Sequence, residues 1–120
     1  MKKIVIFGKR IPNEVQTFIE RTIDSLVQEG CSIFIYERFQ TRINEHWGLN
    51  WNFPEFKSRE DILKSQPDFL LVIGGDGTFL DATTLVEGTD IPIIGLNTGR
   101  LGFLANITRD EAPMALKSIL

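Results

Sequence analysis

The run Gly74-Gly75-Asp76-Gly77-Thr78 joins a turn able to cradle phosphate to a carboxylate, and the two together point to phosphoryl transfer. Glycine has no side chain, so the backbone N–H groups of Gly74, Gly75 and Gly77 can come close to a phosphate. Helical patterning resumes at about Thr78, which sets those amides at a helix N-terminus, where unpaired N–H groups and the helix dipole favour an anion. Asp76 is out of character there, because a carboxylate repels phosphate. Its presence suggests proton acceptance, orientation of a metal, or binding of a hydroxyl. Gly-Asp-Gly alone is a common turn, and Asp beside a helix start is a common cap. The pentapeptide gains chemical meaning from its place, directly behind the apolar run Phe69-Leu70-Leu71-Val72-Ile73 and before a helix.

The elements that must hold this turn can be read from the alternation of apolar patterns. Ile4-Val5-Ile6-Phe7 reads as a first strand ending at Gly8. Over residues 13–29, Val15, Phe18, Ile19, Ile23, Leu26 and Val27 recur at three- and four-residue steps, one stripe of a helix that Gly30 ends. Residues 32–36 form a second strand. Between 37 and 58 the pattern weakens, with His46, Trp47, Trp51, Phe53 and Phe56 interspersed with Asn and Gly, and a short helix followed by a mobile loop is expected. Residues 59–64 make a helical turn, and Pro67-Asp68 leads into the central strand at 69–73. A helix at 78–86 and a strand at 91–96 follow. Strands alternating with helices imply an α/β fold, a doubly wound, mostly parallel sheet with helices on both faces. Ligands of such folds collect beyond the carboxyl ends of the strands. Three loops belong there: Gly8-Lys9-Arg10, residues 74–78, and Asn97-Thr98-Gly99-Arg100. They offer amides, hydroxyls, one carboxylate and three cations, an inventory suited to a phosphorylated ligand and a hydroxyl acceptor.

At 120 residues with 42% hydrophobic content the chain suits one domain with a full core. Thirteen basic against sixteen acidic residues give a net charge of −3, which argues against nucleic acid as a partner. The lone Cys31 and single His46 leave no set for a zinc cluster or an internal disulfide, and no protein-held metal centre is expected. Met1-Lys2-Lys3 before Ile4-Val5-Ile6-Phe7 is no signal sequence, since Gly8-Lys9-Arg10 breaks the apolar run early, and no stretch is long enough to span a bilayer. Cytoplasmic location is the expectation, with no membrane partner.

Gly74-Gly75-Asp76-Gly77-Thr78, followed by Pro92-Ile93-Ile94-Gly95-Leu96-Asn97-Thr98-Gly99-Arg100-Leu101-Gly102-Phe103-Leu104, resembles the N-terminal domain of the NAD kinases. The glycine-aspartate turn is shared with diacylglycerol and sphingosine kinases and, in related form, with phosphofructokinases. The stretch 97–103 is the sharper mark of an NAD kinase. The resemblance implies transfer of the γ-phosphoryl of magnesium-bound ATP, or of polyphosphate in some members, to the 2′-hydroxyl of the adenosine ribose of NAD. It implies that Asp76 is catalytic, accepting that hydroxyl's proton or orienting it. Gly75, Gly77 and Thr78 would bind phosphate, Asn97 would bind polar groups of the ligand, and Phe103 would cover part of the dinucleotide. Lys9 and Arg10 are either phosphate contacts or solvated surface charges, and Asn97 could equally stabilise its own turn. Asp81 is either a second carboxylate for magnesium or an acid well placed in the first turns of a helix.

NAD kinases resembling this chain continue into a second, mainly β domain, and homo-oligomers are common among them. The tail adds a hint of its own: a helix-start signal at Thr108, Pro113 in a first turn, then Met114, Leu116, Ile119 and Leu120, apolar to the end. The expectation is an N-terminal domain with little activity alone. Two other classes fit parts of the pattern. A lipid kinase of the diacylglycerol or sphingosine type would share the glycine-aspartate turn without the 97–103 stretch. A non-catalytic nucleotide-binding module would tolerate loss of the Asp76 carboxylate.

Overall fold

The computed structural model describes residues 2–11, 15–97, 107–108 and 111–119. Six strands make one parallel sheet: β1 (Lys3–Phe7), β2 (Ser32–Tyr36), β3 (Glu55–Phe56), β4 (Phe69–Gly74), β5 (Ile93–Asn97) and β6 (Ile107–Thr108), in the order β3-β2-β1-β4-β5-β6. The helices are α1 (Gln16–Gln28), α2 (Glu37–Trp47), α3 (Arg59–Ser65), α4 (Asp76–Leu85) and α5 (Ala112–Ile119). This is the doubly wound arrangement expected, and the strand order runs outward in both directions from the β1/β4 pair.

Burial follows the register of the strands. One core lies between one face of the sheet and helices α1, α2 and α5, built from Ile4, Ile6, Ile33, Ile35, Leu71 and Ile73 against Ile19, Ile23, Leu26, Phe39, Ile43 and Leu116. The other face carries Val5, Phe7, Leu70 and Val72, covered by Ile62 of α3 and by Ala82 of α4 with Val86 just beyond it. β4 is therefore apolar without alternation, its first five residues all buried, as a strand covered on both sides must be. β2, nearer the edge, alternates buried and half-buried positions.

The helices depart from the sequence pattern in instructive ways. In α1 the buried stripe takes in Thr22 and leaves Val27 exposed. The Thr22 hydroxyl donates to the Phe18 carbonyl at 2.8 Å, so a β-branched side chain enters the core with its polar atom satisfied. The segment expected as a short helix and loop is an eleven-residue helix followed by a tied-down extended stretch. Gln40 Nε2 donates to the Phe53 carbonyl at 3.2 Å while Gln40 Oε1 accepts from the Phe53 N–H at 3.0 Å. One turn on, Asn44 makes the same reciprocal pair with Trp51, both bonds 2.9 Å. Two side-chain amides thus act as a substitute strand, and Trp47, Trp51 and Phe53 pack on the core beneath. The stretch ends in β3, which the sequence pattern does not announce.

Candidate functional site

The site lies where the winding reverses. β1 and β4 are adjacent and parallel, with Phe7 beside Val72, so the loops that leave them emerge side by side at the carboxyl edge. β5 lies on the far side of β4 with Asn97 in register with Gly74, which puts the Asn97 backbone about 4.8 Å from the glycine turn. The convergence expected of three loops is therefore present for the parts described: Lys9 and Arg10 after β1, Gly75 to Thr78 after β4, and Asn97 at the end of β5. Thr98, Gly99, Arg100 and Phe103 lie outside the described residues.

The glycine turn is shaped by two different constraints. Gly74 has φ +156°, and a Cβ there would meet the Thr78 side chain at 3.0 Å, so this glycine lets Thr78 fold back over the strand end. Gly75 and Gly77 are different, since among the described residues a Cβ built on either meets nothing within 4 Å. Packing among the described residues does not require glycine at these two positions, and both are exposed. Gly75 is the N-cap of α4, and the first intrahelical bond runs from the Phe79 N–H to the Gly75 carbonyl at 3.0 Å. The Gly77 and Thr78 amides come before that bond and are left over by helix geometry for an external acceptor. α4 begins at Asp76, two residues earlier than the sequence pattern suggested, so Asp76 is the first helical residue, half-buried, in the first turn.

α4 is anchored at its other end by a residue the sequence reading passed over. Arg59, first residue of α3, donates to the Thr84 carbonyl at 3.2 Å and to the Glu87 carbonyl at 2.5 Å. A cation at the C-terminal carbonyls complements the dipole and fixes the direction in which the N-terminus points. α3 itself starts in a capping box of Ser58 and Asp61. Hydrogen bonds from the Lys57 and Ser58 N–H groups hold the Asp61 carboxyl below the usual carboxylate range.

The β1 loop is held from both sides of the sheet. A Cβ on Gly8 would lie 2.5–2.8 Å from the Phe39 ring, so the first turn of α2 occupies the space of the missing side chain. Arg42, one turn further along α2, donates to the Lys9 carbonyl. Lys9 Nζ donates to Asp81 Oδ2 of α4 at 2.5 Å. Asp81 therefore meets a lysine, where the sequence left magnesium or the helix dipole as its partners. Arg10 is exposed. Cys31 sits before β2, at the opposite edge, where burial pushes its thiol up and away from nucleophilic duty. His46 is exposed and meets the edge of Trp47, in keeping with local packing.

Comparisons with known proteins identify the family. The family model for the ATP-NAD kinase N-terminal domain matches residues 4–120. A protein named NAD kinase from Flavobacterium psychrophilum is 38% identical over 98% of this chain and 40% of its own length. The NAD kinase of Porphyromonas gingivalis is 33% identical over 100% of this chain and 41% of its own. The chain thus spans about 40% of the length of the curated relatives it matches. The crystal structure of yeast NADH kinase complexed with NADH shares the fold, with a TM-score of 0.75 at 18% identity over 99% of this chain and 36% of that one. By a match that covers nearly every residue, the chain belongs to the ATP-NAD kinase family, as its N-terminal domain.

Proposed function

We propose that this domain supplies the phosphoryl-transfer half of an NAD kinase site, in which the γ-phosphoryl of magnesium-bound ATP passes to the 2′-hydroxyl of the adenosine ribose of NAD to give NADP. The observation that carries the reading is the exposed glycine turn joined to Asp76 at the β1/β4 switch point. The Gly75 and Gly77 backbones and the Thr78 amide and hydroxyl bind phosphate oxygens. Asp76 accepts a hydrogen bond from the acceptor hydroxyl and takes its proton as the new O–P bond forms. The bond from the γ-phosphorus to the bridging oxygen breaks at the same time, and ADP leaves with that electron pair. A carboxylate at a helix N-terminus is a weak base, yet the transition state is loose and asks for alignment more than for deprotonation.

Magnesium arrives with the nucleotide as part of the substrate, held chiefly by phosphates and water. Such a complex needs no dedicated protein cage, and the exposed glycine turn with the Lys9 ammonium suits the phosphates that carry it. With the nucleotide bound, the ion would neutralise charge developing on the phosphoryl oxygens. Asn97 and Phe103 bind the dinucleotide, and Lys9 and Arg10 add positive charge at the mouth. The rest of the dinucleotide pocket belongs to a C-terminal β domain of the kind this family carries. The working protein is a cytoplasmic homo-oligomer, and polyphosphate is an alternative donor.

The test is phosphorylation of NAD by MgATP, measured on residues 1–120, on the protein extended through a C-terminal domain, and on that protein with Asp76→Asn. Activity is expected only in the extended wild type, with Asp76→Asn lowering kcat by about 10²-fold or more. Activity of residues 1–120 alone overturns the division of labour. No activity in any version moves the assignment to another acceptor hydroxyl, a diacylglycerol-type lipid first.

A further inference from the structure

We infer that Asp81 is a positioning residue for Lys9, and that the Arg42–Lys9–Asp81 relay holds one ammonium group beside the phosphate turn before a nucleotide arrives. The inference rests on the kinase reading for the identity of the ligand, a phosphate-bearing nucleotide. Asp81 follows Gly77 by four residues and Thr78 by three, so all three lie on one face of α4. Side chains on a helix lean toward its N-terminus, which carries the Asp81 carboxylate up toward the Gly77 gap. The Lys9 ammonium, bonded to that carboxylate at 2.5 Å, is thereby set within about one helical turn of the leftover amides.

The other end of Lys9 is fixed as well. Arg42 donates to the Lys9 carbonyl, and the Phe39 ring fills the space beside Gly8, so the backbone that carries the lysine has little room to move. Without the relay, a lysine on a surface loop would sample many rotamers, and ordering it would weaken nucleotide binding. The pair leaves both partners about half exposed, with side-chain accessibilities of 46% and 51%. An ion pair that wet contributes little to stability, so its effect should appear in ligand binding and hardly at all in folding. It also offsets the negative charge of Asp81 near a site that must accept phosphate.

The experiment is a double-mutant cycle in the full-length protein: wild type, Lys9→Met, Asp81→Asn and the double variant. Dissociation constants for MgATP and for NAD are read by calorimetry, with KM and kcat alongside. For one of the two nucleotides, Lys9→Met should weaken binding about tenfold, the scale of a charged hydrogen bond. Asp81→Asn should weaken it about threefold, as loss of an exposed pair does. The double variant should match Lys9→Met alone, because Asp81 acts only through the lysine. The melting temperature should move little throughout, and the loss should fall on KM more than on kcat, which separates positioning in the bound complex from chemistry. The inference is overturned if Asp81→Asn weakens binding equally with and without Lys9, or if neither single variant changes either constant. A wild type that binds nucleotide but leaves NAD unphosphorylated defeats the kinase reading while the cycle still decides this one. A wild type that binds neither nucleotide defeats both.

Discussion

Glycines at the site fall into two kinds, and the difference gives a test that separates folding from function. A methyl group on Gly8 would run into the buried Phe39 ring, which α2 and the sheet hold in place. Gly8→Ala should therefore destabilise the protein by about 1–3 kcal/mol, the usual cost of overpacking. A methyl group on Gly77 meets nothing among the described residues, and residue 77 is helical. Gly77→Ala should raise stability by about 0.5–1 kcal/mol on helix propensity alone. If phosphate sits against the exposed Gly77 backbone, the same variant loses affinity for MgATP. Thermal denaturation and KM for MgATP, measured together, should move in opposite senses for Gly77→Ala: a more stable protein and a poorer enzyme. A variant as active as wild type would show that no ligand approaches the backbone there.

Among the elements, the extended stretch after α2 depends on two side chains in a way that helix propensity hides. Gln40 is buried and makes two bonds to the Phe53 backbone, and it donates to Glu55 Oε2 at 2.7 Å as well. Gln40→Ala should cost about 2–3 kcal/mol, since it leaves a part-buried N–H and C=O without partners as well as a gap. Denaturant unfolding measures this directly, and a loss below about 0.5 kcal/mol would mean the stretch is held by its aromatic residues alone. The same region marks where the sequence stops being legible. α1 is readable because its apolar residues repeat with the helical period, and β2 and β4 because each is a short apolar run bounded by turn residues. In α2, Phe39, Ile43 and Trp47 do fall four residues apart, yet polar Gln40 is buried between them and Asn and aromatic residues follow. Its amide is satisfied by a partner thirteen residues away, which no local pattern records. β3 and β6 are two residues each, too short to carry a period. The glycine-aspartate turn was legible because its chemistry is local. The clamps around Lys9 from Arg42 and Asp81, and the Arg59 anchor on α4, were not, because each joins residues 25 to 72 positions apart.

At the scale of the whole molecule, the switch point divides the sheet into two sets of strands, β1 with β2 and β3, and β4 with β5 and β6. On the proposed reading, a nucleotide seated between the β1 loop and the β4 turn would touch both sets, so binding would stabilise the fold as a unit. By linkage, ligand at about 100 times its dissociation constant adds about 2.7 kcal/mol to the unfolding free energy. Asp76 enters this balance with the opposite sign from its part in the chemistry. Its negative charge opposes the phosphates, and its proposed work begins only when the acceptor hydroxyl is in place. Asp76→Asn keeps the shape of the turn and removes that charge, so the stabilisation produced by MgATP should be at least as large as in the wild type, while turnover falls about 10²-fold. Differential scanning calorimetry with and without MgATP, run beside an assay of NADP formation, reads both quantities on the same protein. If stabilisation by the nucleotide disappears along with turnover, Asp76 works by binding the donor rather than by handling the acceptor's proton. The catalytic role assigned to it would then pass to another group at the carboxyl edge.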